Sequence, residues 1–155
     1  YLQVPNWKVP MIAADMRRRM SRAIDRIALF DGVECELMRL HRGGLCLGIA
    51  SSNAEANIRQ VLGPTLWDLI QYSECGVGIS AKHHRLKRLL RRARIAPERA
   101  VYIGDEVRDI DAACRAGIAV GAVTWGYNDA SLLRACDPDL LFAQVHEISA
   151  RLLSQ

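Results

Sequence analysis

The chain has 155 residues, 50% of them hydrophobic and 25% charged, with a formal net charge of +4. That length suits one domain with a real core, and no apolar run approaches the roughly 20 residues that a membrane-spanning helix needs. The mild positive charge favours anionic, phosphorylated partners without fixing a fold.

Cys35, Cys46, Cys75, Cys114 and Cys136 are odd in number, scattered and without metal-ligand spacing. This argues against a disulfide framework or a zinc site and for reduced thiols in a cytoplasmic protein. The first residues lack the charged start and apolar stretch of a signal peptide. The chain opens on Tyr1 rather than Met, which suggests a shortened or processed N-terminus.

Residues 1–10 carry Pro5 and Pro10 and read as a connector. Ile12, Met16, Met20, Ile24 and Ile27 recur at steps of three or four and predict a helix over 9–28, its other face covered by arginines. Asp31-Gly32 is a turn, and a shorter helix over 34–41 closes at Gly43-Gly44. The apolar run LCLGIA, 45–50, has the length and composition of a buried parallel strand and delivers Ser51-Ser52-Asn53 to its carboxyl end. A helix over 55–62 should end at Gly63-Pro64, with further helical turns over 65–71 and a weaker, glycine-interrupted strand over 73–79. Residues 82–93 form an amphipathic helix with Leu86, Leu89, Leu90 and Ala93 inward. A strand over 100–103 runs into Gly104-Asp105-Glu106. The helix after it is rich in small residues (Ala112, Ala113, Ala116) and stops at Gly117. A strand over 118–123, a helix over 130–135, an edge strand over 140–143 and a terminal helix over 145–153 complete the chain. Strand and helix alternate from Leu45 onward, which predicts an α/β fold with a parallel sheet under covering helices.

In such folds ligands bind beyond the carboxyl ends of the strands, and three features fall there. Ser51 follows a buried strand and precedes a helix, so its hydroxyl and the N–H groups of Ser52 and Asn53 could cradle an anion; an N-cap role for Ser52 or Asn53 is the alternative. Lys82 opens a basic helix, where a compact cation could neutralise a transferring phosphoryl group; the alternative is a solvated lysine. Gly104-Asp105-Glu106-x-x-Asp109 offers hard oxygen ligands suited to Mg²⁺; the alternative is that Asp105 caps the next helix.

The order and spacing of the three resemble the haloacid dehalogenase (HAD) superfamily, and within it the phosphoglycolate-phosphatase-like hydrolases. LCLGIASSNAEAN is similar to that family's second motif, SAKHHRL to its lysine motif, and VYIGDEVRDIDAACRAGIAVGAVTWGY to its fourth motif with a glycine turn. The family often has Pro after the lysine, where this chain has His83. The resemblance implies a Rossmann-like parallel sheet with helices on both faces. It implies that Ser51, with Ser52 and Asn53, binds phosphoryl oxygens and that Lys82 neutralises phosphate and nucleophile charge. It implies that Asp105 ligates Mg²⁺ and Asp109 supports the metal shell. Glu106 stands at a variable position and receives no role.

One departure is large. The family's chemistry starts from an Asp-x-Asp motif ending a central first strand, and no such strand precedes Ser51. Asp109-Ile110-Asp111 lies within a helix, and Asp137-Pro138-Asp139 is broken by proline. The resemblance therefore divides the chain into a partial helical cap, 1–29, and a core domain, 30–155, from which the central strand is missing. Two inner strand edges would be left unpaired, so the chain alone should be marginally stable or aggregation-prone.

The expected function is a Mg²⁺-dependent phosphomonoester hydrolase acting on a small phosphorylated metabolite through an aspartyl-phosphate, with this chain inactive by itself. A non-catalytic phosphate- or metal-binding module is the alternative. A basic nucleic-acid binder using Lys82, Arg85, Lys87, Arg88, Arg91, Arg92 and Arg94 is weaker, because no aromatic stacking platform accompanies the helix. His83 and His84 read as surface residues pointing to different faces.

Overall fold

In the computed structural model, which describes residues 24–76 and 82–154, the expected alternation folds into short parallel strands separated by helices. In chain order these are α1 (Val33–Arg42), β1 (Leu47–Ser51), α2 (Glu55–Trp67), β2 (Ile70–Cys75), α3 (Lys82–Ala93) and β3 (Val101–Gly104). They continue as α4 (Val107–Ala116), β4 (Ala119–Val123), α5 (Ala130–Ala135), β5 (Leu140–Phe142) and α6 (Glu147–Leu152). Most of the helix expected over 9–28 lies outside the described residues. Its last residues form a short 3-10 turn, Ile24–Arg26, followed by irregular backbone rather than α-helix.

The strands do not form one sheet. β1 pairs with β2, and β3, β4 and β5 pair in that order, all parallel. Among the described residues no backbone ladder joins β1 to β3. The missing central strand expected from the sequence thus has a physical counterpart: two part-sheets with no strand between them among the described residues.

Side-chain alternation along β4 explains why helices cover both faces. Val120 and Ala122 face one side, where they pack with Ile110 and Ala113 of α4 and Leu133 of α5. Val123 faces the other, with Leu40 of α1, Phe142 of β5 and Ile148 of α6. The small residues of α4 let it lie close to α3, where Ala112 and Ala116 meet Leu86 and Leu90. Leu133 is fully buried, so Leu133→Ala should destabilise the fold by about 2–5 kcal/mol through lost contacts and a residual cavity. A lowered urea midpoint with an unchanged slope would register it.

Two boundaries differ from expectation for identifiable reasons. Ile70 and Gln71 are strand rather than helix, because Ile70 pairs with Leu47 of β1. Leu66, Leu69 and Ile70 fit a helical spacing, but a run that short does not discriminate, and the ladder decides. At Gly63-Pro64 the expectation holds: the helix breaks at Gly63, φ 69°, ψ 171°, and helical turns resume beyond it, so that α2 is two short helices joined at a kink. At the start of β1, Leu45 donates its N–H to the Leu40 carbonyl and so belongs to the exit of α1.

Candidate active site

The carboxyl ends of β1 and β3 bring together residues far apart in sequence. β3 leads through Gly104 into Asp105, and α4 begins at once. Its N-cap is Glu106, not Asp105: the Glu106 side chain accepts from the Asp109 backbone and Asp109 accepts from the Glu106 N–H, a reciprocal capping box. Asp105 is thereby released from capping. Its Oδ2 accepts the Tyr127 N–H at 2.8 Å, and its carbonyl accepts the Asn128 N–H at 3.1 Å. Asn128 in turn accepts the Val107 N–H at 2.9 Å, so the turn after β4 latches over the start of α4.

That latch requires glycine at two points. A Cβ on Gly126 would overlap the Asp105 side chain, and one on Gly104 would overlap Asp109. Gly126→Ala should therefore displace Asp105, destabilise the fold by about 1–3 kcal/mol through overpacking and weaken cation binding at the turn. Thermal melts and a Mn²⁺ titration would show both effects.

Asp109 is the hub. It is 3% exposed. It forms an ion pair with Lys82, accepts from the Glu106 N–H at 3.2 Å and receives the Tyr102 hydroxyl at 3.4 Å. The Lys82 ammonium also stands 5.8 Å from the Tyr102 ring centroid, within cation–π range. Burial, then the Asp109 carboxylate, pushes the Tyr102 phenol well above its ordinary pKa, so it stays a donor. The same hydroxyl lies 3.4 Å from the Ala50 carbonyl, which ties the acidic turn to the end of β1.

At that end, the Ser51 hydroxyl accepts the Asn53 N–H at 3.1 Å, and Asn53 Oδ1 accepts from Ala54 N and Asn57 Nδ2. This differs from the expected cradle. The Asn53 N–H is committed to Ser51, and Ala54, not Ser52 or Asn53, is the N-cap of α2. The Ser51 hydroxyl proton is left to donate outward, because the oxygen is the acceptor in that bond.

The structure thus gathers Ser51, Lys82, Asp105 and Asp109 at one rim, and adds residues that the sequence left out. Carboxylate oxygens of Asp105, Glu106 and Asp109 all lie within 4.8 Å of one another. Glu106 also pairs with Arg108. The Glu-x-x-Asp spacing of a capping box was the available signal for Glu106. For Tyr102 and the buried Arg85, whose guanidinium donates to the Ser51 carbonyl at 3.2 Å, no sequence signal existed.

The donor set fits Mg²⁺: hard carboxylate oxygens converge, and Asp105 keeps Oδ1 clear of protein donors among the described residues. Helix α3 is a poorer nucleic-acid face than its composition suggests. Arg85 is buried, and Arg88 and Arg92 both pair with Glu74. His83 and His84 do not point apart: their ring centroids are 4.0 Å from each other.

Comparison with known proteins identifies the family. The family model for haloacid dehalogenase-like hydrolases matches residues 1–123. A phosphoglycolate phosphatase from Synechococcus elongatus is 36% identical over 136 residues, covering 87% of this chain and 64% of its own length. The tyrosine-protein kinase PtkA of Mycobacterium tuberculosis is 34% identical over 112 residues, 68% of this chain and 38% of its own. The chain therefore spans less than two thirds of either relative. A haloacid dehalogenase-like hydrolase from Streptococcus pneumoniae, 20% identical, superposes with a TM-score of 0.82 over 96% of this chain and 72% of its own. With the family model covering more than half of its residues, the chain belongs to the haloacid dehalogenase-like hydrolase family.

Proposed function

We propose that this chain carries the phosphate- and metal-binding half of a Mg²⁺-dependent phosphomonoester hydrolase acting on a small phosphorylated metabolite. The observation that carries the reading is the convergence of three carboxylates within 4.8 Å at the end of β3, beside Lys82 and linked through Tyr102 to the end of β1. Residues 30–155 form the core domain in this proposal, and 1–29 the remnant of a helical cap.

Asp105 would hold Mg²⁺ through its open oxygen, with Asp109 supporting the shell from its buried position. Mg²⁺ supplies charge neutralisation of phosphoryl oxygens and a template for in-line attack. The Ser51 hydroxyl would donate to one phosphoryl oxygen, and the Lys82 ammonium would face another. Tyr102, kept protonated, holds Lys82 and Asp109 in register with the Ser51 turn.

Neither of the chain's two Asp-x-Asp triplets stands at the end of a strand: Asp109-Ile110-Asp111 lies within α4 and Asp137-Pro138-Asp139 between α5 and β5. Asp109 is buried and ion-paired, and Asp139 accepts the Val120 N–H at 2.8 Å. An aspartyl-phosphate would need a carboxylate from outside these residues. The expected result with an aryl phosphate and Mg²⁺ is no turnover by this chain, and turnover by a longer chain carrying an Asp-x-Asp strand. If the longer chain binds phosphate and Mg²⁺ but does not hydrolyse, the non-catalytic module is the correct reading.

A further inference from the structure

Arg85 is a buried cation that the acidic turn does not account for. It is 5% exposed, and helix α3 carries it across the β1–β2 pair. Its guanidinium donates to the Ser51 carbonyl at 3.2 Å. Ser51 and Cys75 are register partners at the ends of β1 and β2. Burial, then Glu55, pushes the Cys75 thiol up, and Arg85 acts on it in the opposite sense. The guanidinium charge therefore stands over the carboxyl ends of both strands, beside the Ser51 turn.

The acids around it are already engaged. Glu74 of β2 pairs with Arg88 and Arg92. Glu55 of α2 pairs with Arg59 and accepts the Ser73 hydroxyl. Among the described residues, the Ser51 carbonyl is the polar partner of Arg85, and no carboxylate forms an ion pair with it. A buried charge is ordinarily paired, because taking it out of water is costly. The position adds to that cost: Arg85 is in the first turn of α3, where the helix dipole disfavours a cation. Lys82, at the start of the same helix, differs because Asp109 neutralises it. Of these two cations, Arg85 is the one whose charge stays unbalanced among the described residues.

We propose, resting on the phosphate-binding reading of Ser51, that Arg85 supplies the positive charge behind the Ser51 corner and draws a phosphoryl group to the Ser51 hydroxyl without touching it. A buried guanidinium acts across protein rather than water, so its field at the turn is weakly screened. The bond to the Ser51 carbonyl fixes where that field is applied. An arriving anion provides the counter-charge that the fold withholds. Arg85 is thus a positioning residue, acting on the ligand through the turn it holds.

The test is isothermal titration of the full chain with inorganic phosphate in the presence of Mg²⁺. Arg85→Gln keeps an N–H donor for the Ser51 carbonyl and removes the charge. It should weaken phosphate binding by at least about tenfold. Arg85→Lys keeps the charge and should recover most of that loss. Mn²⁺ binding at the acidic turn should be the same in both variants and the wild type, which a general loosening of the fold would not allow. If Arg85→Gln does not fold, nuclear magnetic resonance of the wild-type chain decides: the Arg85 Nε–H signal must shift as phosphate saturates the site. Wild-type affinity in Arg85→Gln would overturn the proposal, leaving Arg85 a prop for the carbonyl alone. Arg85→Lys binding no better than Arg85→Gln, or an unmoved Nε–H signal, would overturn it too. A wild-type chain that binds no phosphate sinks the Ser51 reading and the role of Arg85 together, whereas binding indifferent to Arg85 sinks only the latter.

Discussion

Asp105→Asn is expected to abolish divalent-cation binding to this chain while leaving it folded. The two outcomes separate because the side chain does two different things. Oδ2 accepts the Tyr127 N–H at 2.8 Å, and an asparagine carbonyl oxygen can accept the same bond. The other oxygen is the one that would ligate the cation in the proposed site, and in asparagine it becomes an NH₂ that cannot ligate. Loss of even an outer-shell partner typically weakens metal affinity by about 10–100-fold, and loss of a charged direct ligand should exceed that. Mn²⁺ titration followed by electron paramagnetic resonance reads the binding, and near-UV circular dichroism reads the fold. Neither requires turnover, so the result holds even where the chain is inactive. Unchanged Mn²⁺ binding by Asp105→Asn would remove Asp105 from the metal site. In a longer, active chain the same substitution should reduce kcat by about a hundredfold or more.

How far the site was legible follows from which interactions are local. The strand–turn–helix around Asp105 was readable because each part has a short-range cause: an apolar run, a glycine, a capping pair and a small-residue helix closed at Gly117. Helices α3 and α5 fall on the residues their periodicity indicates. What failed depends on partners distant in sequence. Ile70 looked helical because its pairing with Leu47 is 23 residues away. Arg85 looked like one more surface cation on a basic helix, yet it turns inward to the Ser51 carbonyl, 34 residues earlier. Tyr102 looked like a core strand residue, and it is one; only the tertiary structure aims its hydroxyl at both Ala50 and Asp109. The Ser51 turn lies between these cases: its position was readable, but its use of the Asn53 N–H was not.

Lys82→Met should cost about 3 kcal/mol of stability, the larger part of it from the charge it leaves behind. The Lys82 and Asp109 side chains are 16% and 4% exposed, so the pair is screened far less than a surface bridge. Removing one partner of a buried pair typically costs about 3–5 kcal/mol because the other charge stays buried. Among the described residues, Asp109 would retain the Glu106 N–H and the long Tyr102 bond. The diagnostic is a double-mutant cycle. Lys82→Met with Asp109→Asn leaves no buried charge, and the substituted amide can still accept from the Glu106 N–H through its carbonyl oxygen. The double variant should therefore be more stable than the sum of the single losses predicts, by about 1–3 kcal/mol. Additivity within about 0.5 kcal/mol would mean the pair contributes no net coupling. The same cycle bears on phosphate binding. A lysine already paired to Asp109 meets an incoming dianion as part of a neutral pair, so the chain should bind phosphate more tightly with Asp109→Asn than without it. Phosphate titration of the single variants, set beside their stabilities, would separate the role of Lys82 in holding Asp109 from its role in meeting the substrate.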